Sequence, residues 1–428
     1  MQYHKENSYF TSIIGFFYQH GIDCIIDRNK ALELYLLAVN NENSLKQKCI
    51  NSNLLNGNND EFYDTLQYIN VIIGKCLLSL FYYKDIILDD RVKYFESARK
   101  GDSIAQYNLG YCYQYGKGIA IDYNEAFKWY TKSANNGCAE GQNNLGNFYF
   151  YGRGITIDYK KAFELYFKSA KNGYNLGQYN LGYCYQYGKG VRKNYNKAFK
   201  WYSRSANNGC ALAQNNLGNC YYYGRGVLVI KNDKKAFELY FKSAENGYSL
   251  GQCNLGYCYQ YGKGIEKNYY EAFKWYSRSA NNGCALAQNN LGNCYYYGRG
   301  VLVIKNDKKA FELYFKSAEN GYSLGQCNLG YCYQYGKGIE KNYYEAFKWY
   351  SRSANNGCAL AQNNLAYCYE NGIGTEKDFN KAFELYSKSA NNGCALAQNN
   401  LAYCYKYGIG TEKDFNKALE LYANMPII

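Results

Sequence analysis

The residues of this chain with the most chemical potential are its 18 cysteines, its two histidines and a set of acids that recur at fixed intervals. Eight cysteines, Cys112, Cys184, Cys220, Cys258, Cys294, Cys332, Cys368 and Cys404, stand two residues after a Leu-Gly or Leu-Ala pair. Five more, Cys138, Cys210, Cys284, Cys358 and Cys394, follow an Asn-Asn-Gly turn. Cys210 and Cys220 are ten residues apart on one helix, about 15 Å along its axis at 1.5 Å per residue. A disulfide needs Cα atoms about 4.4–6.8 Å apart, so these two do not pair, and free buried thiols are expected. The only histidines are His4 and His20, and no Cys-x2-Cys spacing occurs; Cys253 and Cys258 lie five apart without a second pair, which is not a zinc pattern. A nucleophilic serine or cysteine needs a base, and no histidine falls in the regular part of the chain. Acids such as Glu238 and Glu312 recur with the period and so define no unique carboxylate pair. The Gly-x-Gly turns end helices rather than open them, which is the wrong end for holding phosphate. No catalytic residue, cofactor or metal ligand is expected.

The elements that carry these residues are repeated. Leu-Gly recurs at Leu109-Gly110, Leu145-Gly146, Leu181-Gly182, Leu217-Gly218, Leu255-Gly256, Leu291-Gly292 and Leu329-Gly330, then as Leu365-Ala366 and Leu401-Ala402. The spacing is 36 residues, or 38 where Val-Leu-Val-Ile enters at 227–230 and 301–304. A period of this size marks a solenoid of stacked units. Residues 177–250 and 251–324 also match each other at a spacing of 74, so the array grew by duplicating pairs of units. Nine regular units fill 103–424. A degenerate unit is expected at 67–102, an irregular Asn-rich insertion at 44–66, and another degenerate unit at 8–43, giving about eleven in one solenoid. One proline and 42 glycines in 428 residues fit helices closed by glycine and exclude a proline-rich linker.

Each unit reads as a helix hairpin. In Ala211–Tyr221, Ala213, Leu217 and Tyr221 share one helical face, with Cys220 beside them. The glycines of Tyr223-Gly224-Arg225-Gly226 then stop the helix, because glycine takes the left-handed backbone without steric cost. Ala236, Leu239, Tyr240 and Ala244 space a second helix, which Asn246-Gly247 closes. The small residues let helices approach, and the large ones fill the spaces between them.

The pattern Ala-x3-Leu-Gly-x2-Tyr-x2-Gly-x-Gly, followed by Ala-x2-Trp-Tyr-x-Lys-x-Ala-x2-Gly, resembles the Sel-one-like repeat family, a relative of the tetratricopeptide repeat. Ala105, Leu109, Gly110, Tyr113, Gly116, Gly118, Ala126, Trp129, Tyr130, Lys132, Ala134 and Gly137 carry it in full. Departures are local: Leu80 replaces a turn glycine, Asp90 the first alanine of a second helix, and Gly141, Gly177, Gly251 and Gly325 the alanine before Leu-Gly. The resemblance implies an all-α, right-handed αα-superhelix with a concave face of first helices that binds protein or peptide. It also implies an adaptor or scaffold in signalling or complex assembly, not an enzyme. A regulatory tail separated from a larger fungal-type kinase-like protein is the alternative, although no kinase motif is present here.

By analogy with tetratricopeptide repeats, the positions two before, two after and five after the leucine face the groove. They read Tyr107, Tyr111, Gln114; Asn143, Asn147, Phe150; Tyr179, Tyr183, Gln186; and Asn215, Asn219, Tyr222. The series continues with Cys253, Tyr257, Gln260; Asn289, Asn293, Tyr296; and Cys327, Tyr331, Gln334. Amides and phenols of this kind hydrogen-bond an extended backbone and stack on its side chains. Beside them the turns offer one cation per unit, Lys117, Arg153, Lys189, Arg225, Lys263, Arg299 and Lys337, before Ile373 and Ile409 end the series. Such a ladder could follow an acidic or phosphorylated partner, or be no more than solvated loop charge. The net charge of +14 has the sign for nucleic acid, but the groove positions lack the Lys and Arg that contact phosphate. With no basic leader and cleavage site, and no apolar run of 18 residues, a cytoplasmic protein with no membrane partner is expected.

Overall fold

The computed structural model describes Leu34 and residues 71–74, 77, 95–226, 230–300 and 304–423. The expected unit at 8–43, apart from Leu34, and the insertion at 44–66 lie outside the described residues, as do most of 67–102 and most of each Val-Leu-Val-Ile insertion. The chain divides into two compact units, Met1–Asp158 and Tyr159–Ile428.

Every regular element among the described residues is a helix. In the first compact unit, α1 (Ser103–Tyr115) and α2 (Tyr123–Asn135) form a hairpin followed by α3 (Ala139–Tyr151). In the second, α4 (Tyr159–Lys171) precedes α5 (Asn175–Tyr187), α6 (Tyr195–Asn207), α7 (Ala211–Tyr223) and α8 (Asp233–Glu245). The series continues with α9 (Ser249–Tyr261), α10 (Tyr269–Asn281), α11 (Ala285–Tyr297), α12 (Asp307–Glu319) and α13 (Ser323–Tyr335). It ends with α14 (Tyr343–Asn355), α15 (Ala359–Asn371), α16 (Phe379–Asn391), α17 (Ala395–Tyr407) and α18 (Phe415–Ala423). Odd labels are first helices of the repeat and even labels second helices, nine of each among the described residues.

The pair α9 and α10 shows why this sequence folds this way. Gly262 ends α9 in the left-handed conformation, φ 67°, as the Gly-x-Gly pattern predicts. Gly264 is needed for a second reason. A Cβ there would strike the Asp233 carbonyl at the start of α8, so the turn lies directly on the preceding unit. Asn268 then caps α10, its side chain accepting the Glu271 N–H at 3.0 Å, a local bond that fixes where the helix starts. The Asn268 N–H also bonds to the Tyr259 carbonyl at 2.8 Å, and the Asn232 N–H to the Tyr221 carbonyl at 2.9 Å. The same closure therefore forms with and without the two-residue insertion, which the loop absorbs at little cost.

Within the hairpin, Tyr276 of α10 is fully buried against Gly256 of α9, where an added Cβ would come within 2.8 Å of the ring. Polar pins then tie the hairpin together and to the unit before it. Gln252 donates from Nε2 to the Ala244 carbonyl of α8 at 3.3 Å and accepts at Oε1 from Asn282 at 3.0 Å. Ser279 Oγ donates to the Ser249 carbonyl at 2.7 Å. Bonded on both sides, these buried amides and hydroxyls avoid the 1–3 kcal/mol that an unmet buried polar group costs, roughly. No helix among the described residues is long and apolar enough to cross a membrane.

Candidate interaction cleft

The asparagines two residues before each leucine do not face an open groove. Asn143, Asn215 and Asn289 expose only 2%, 2% and 3% of their surface, which corrects the placement expected for them. In the second compact unit, Asn254 donates to Asn215 at 2.8 Å and Asn328 to Asn289 at 2.8 Å. Asn215 and Asn289 donate onward to Asn216 and Asn290, at 3.3 and 3.4 Å. The next first helix packs on this side and removes its water, so the amides must bond to protein. Asn143 bonds to Asn144 at 3.2 Å. Cys253 and Cys327, at the same position, are also buried. Tyr107 and Tyr179 are half-buried there, their rings 6.0 and 5.9 Å from those of Tyr130 and Tyr202.

The other two positions behave differently, because they lie past the helix contact. Asn219, Tyr222, Tyr257, Gln260 and Asn293 line a cleft of about 450 Å³ across α7, α9 and α11. They are joined there by residues the pattern did not single out: Asn254 and Asn290 just before the leucine, Tyr223 and Tyr261 at the helix ends, and Tyr240, Leu286 and Tyr322. The asparagine before leucine recurs in every regular unit, from Asn108 to Asn400, and that invariance was the available signal. Tyr222 donates to the Tyr257 hydroxyl at 3.2 Å, with the rings edge to face. Tyr240 donates to Asn219 Oδ1 at 2.7 Å. Burial and this contact with Tyr257 raise the Tyr222 phenol, and burial raises Tyr240. Both stay neutral at physiological pH. No charged side chain lines the cleft, in a chain of net charge +14.

A smaller cleft of about 210 Å³ lies one 74-residue period further on, lined by Tyr331, Gln334, Tyr335, Tyr350, Asn363, Asn364 and Tyr367. Gln334 is buried and accepts from the Tyr350 hydroxyl at 2.8 Å. Its counterpart Gln260 lines the larger cleft, and the buried Tyr276 hydroxyl has no hydrogen-bond partner. Asn293 accepts from Tyr314 at 2.7 Å, and Tyr296 donates to Tyr331 at 3.4 Å.

The remaining expected groove residues line neither cleft. In the first compact unit, Gln114 is buried and accepts from Tyr130 at 2.9 Å. Tyr111 packs on Tyr115 at 4.5 Å and Phe150 on Tyr151 at 5.0 Å, while Asn147 reaches Asn144 at 3.5 Å. In the second, Tyr183 packs on Tyr187 at 4.5 Å, and Gln186 is half-buried.

Five of the seven turn cations sit over tyrosine rings. Lys117 lies 4.9 Å from Tyr111, Arg153 5.5 Å from Tyr151 and Lys189 4.5 Å from Tyr159. Arg225 lies 4.6 Å from Tyr223 and Arg299 4.7 Å from Tyr297. Because Tyr223 lines the larger cleft, Arg225 stands at its rim. Lys263 and Lys337 are half-buried. All 15 cysteines among the described residues are free thiols. Burial pushes Cys184 and Cys258 up to about 12, which keeps them as unreactive thiols. Cys112 is less buried than the other core cysteines.

A family model for the Sel1 repeat matches residues 13–43, 103–138, 139–174, 175–210, 211–248, 249–284, 285–322, 323–358, 359–394 and 395–423. The chain belongs to the Sel1 repeat family. Its ten matched repeats include the degenerate unit at the start and leave 67–102 outside the match. Among solved structures, the chain is similar to c5321, a protective antigen of uropathogenic Escherichia coli with an SLR fold. The two are 30% identical, with 97% of this chain and 84% of that one covered and a TM-score of 0.59. A Sel1 repeat protein from Oxalobacter formigenes is 26% identical over 75% of this chain and 92% of that one, with a TM-score of 0.49. No curated protein sequence matches the chain. The Sel1 solenoid is a scaffold-type fold, and such helical repeats generally mediate protein–protein interaction.

Proposed function

We propose that this Sel1 array is an adaptor that holds a partner protein by an extended, uncharged segment seated in the cleft across α7, α9 and α11. The observation that carries this reading is the cleft's lining, tyrosines and side-chain amides without one charged group. A charged segment entering it would lose water without gaining a counter-ion. A peptide backbone, by contrast, finds amides that both donate and accept, and its side chains find rigid rings. Acidic residues of the partner then fall outside the cleft, near Arg225, so the turn cations aid encounter more than affinity. A signalling role and a place in complex assembly follow from such capture.

Affinity capture with the whole chain tests the reading, with Tyr257→Ala, Gln260→Ala and Tyr261→Ala combined as the comparison. Loss of the captured partner at an unchanged melting temperature supports it. Undiminished capture by the triple variant sinks it.

A further inference from the structure

Five first helices of the array begin on a cysteine, and each of these cysteines stands 31 residues after the position two before the preceding leucine. Cys138 and Cys210 are thereby set opposite Tyr107 and Tyr179, and Cys394 opposite Asn363. Only Cys284 and Cys358 are set opposite cysteines, Cys253 and Cys327. Each of these two pairs lies within one buried cluster, Cys253 and Cys284 around Tyr276 and Cys327 and Cys358 around Tyr350. Within each pair the two thiols lie close enough to shift each other's ionisation, Cys253 and Cys327 upward and Cys284 and Cys358 downward.

The surroundings favour a thiolate on one side and a thiol on the other. Cys284 occupies the N-cap position of α11 without a capping hydrogen bond from its side chain, and the nearby Leu286 and Ala287 N–H groups, unpaired at the helix start, favour negative charge there. With the Cys253 thiol beside it and these N–H groups, Cys284 is lowered to about 6, whereas Cys138, facing a tyrosine, is raised by burial. Cys253 is held on its other side by Asn290, which donates to its sulfur at 3.8 Å, as Asn364 does to Cys327 at 3.7 Å. Cys253 borders the larger cleft, so a small solute has a route to a pair that is otherwise buried.

We propose that Cys253 with Cys284, and Cys327 with Cys358, are dithiol sites that a hydroperoxide oxidises to disulfides joining successive first helices. The Cys284 thiolate attacks one peroxide oxygen, the O–O bond breaks, and the departing hydroxide takes up the proton that Cys284 released to solvent on ionising. Cys284 is left as a sulfenic acid. The Cys253 sulfur then attacks the Cys284 sulfur, the S–O bond breaks, and the hydroxide released takes the Cys253 proton. In sum, two thiols and one hydrogen peroxide give one disulfide and two waters. The two sulfurs, neighbours in one buried cluster, close to the S–S length of about 2.05 Å. The new bond ties α9 to the start of α11 beside the cleft.

The test uses the reduced full chain, treated with hydrogen peroxide, then alkylated and mapped by mass spectrometry. Wild type should lose four free thiols and yield the Cys253–Cys284 and Cys327–Cys358 linked peptides, while Cys138 and Cys210 stay alkylatable. The double variant Cys253→Tyr, Cys327→Tyr copies the chain's own arrangement at Tyr179. It should form neither linkage, as should Cys253→Ser with Cys327→Ser should the larger change disturb folding. The proposal is overturned if wild type retains all four thiols, if other cysteine pairs link at the same rate, or if Cys138 and Cys210 oxidise as fast as Cys284 and Cys358.

Discussion

The two clefts of the second compact unit descend from one 74-residue sequence and yet differ about two-fold in volume, near 450 and 210 Å³. Tyr257, Gln260, Tyr261 and Asn290 of the larger correspond to Tyr331, Gln334, Tyr335 and Asn364 of the smaller. Two replacements separate them: Asn293 becomes Tyr367, and Tyr322 becomes Cys394. The phenols beneath differ too, since Tyr350 holds Gln334 while the Tyr276 hydroxyl is unpaired and Gln260 lines the larger cleft. A near-identical repeat thus yields unlike surfaces, because each cleft is completed by the unit that follows it.

The comparison can be broken most severely from beneath. Tyr276→Ala should destabilise the array by about 3–5 kcal/mol, the cost of emptying a fully buried aromatic site, and Tyr350→Ala should cost the same. Urea unfolding monitored by circular dichroism reads both. If only one of them mattered, the clefts would not share a common foundation.

A smaller effect is expected from exchanging the residues that distinguish the rims. Asn293→Tyr should narrow the larger cleft and weaken capture of the partner by roughly ten-fold, about 1.4 kcal/mol, and cost about 1 kcal/mol of stability because the buried Tyr314 hydroxyl loses its acceptor. Tyr367→Asn should leave that capture unchanged. A crystal structure of each variant would report the cleft, and quantitative capture would report binding.

The phenols sharpen the contrast further. Tyr350→Phe should cost about 1 kcal/mol, because Gln334 loses its donor. Tyr276→Phe should be neutral or slightly stabilising, since its hydroxyl is buried without a partner. Equal shifts of the two urea midpoints would contradict this assignment of the hydrogen bonds. The smallest effect belongs to the turns. Arg225→Ala should reduce capture less than two-fold and flatten its salt dependence, as an exposed charge at the rim acts mainly on encounter.

Much of the fold was legible in the sequence. The Leu-Gly period located nine helix pairs, and the Gly-x-Gly turns and Asn-Gly endings marked where helices stop, because these depend on local backbone preference. The groove was only partly legible. Tyr222, Tyr257, Gln260 and Asn293, expected along one long groove, line a single cleft, whereas Asn215 and Asn289, expected on that groove too, are buried. Along a helix, residues two before and two after a leucine both lie off its buried stripe, so periodicity treats them alike. Asn254 and Asn290 were missed because their repetition resembled a structural signature.

By itself the sequence determined the hairpin, its length, its caps and the tyrosine packed against glycine, all set by short-range sterics and hydrogen bonding. Tertiary structure alone decided which flank of each first helix is dry. That depends on the neighbouring unit, which seals Asn215 behind Asn254 yet leaves Tyr257 at a cleft. It also decided which cysteines meet. Cys210 and Cys284 occupy the same place in the repeat, and packing sets each against the position two before the preceding leucine, where Cys284 meets Cys253 and Cys210 meets Tyr179.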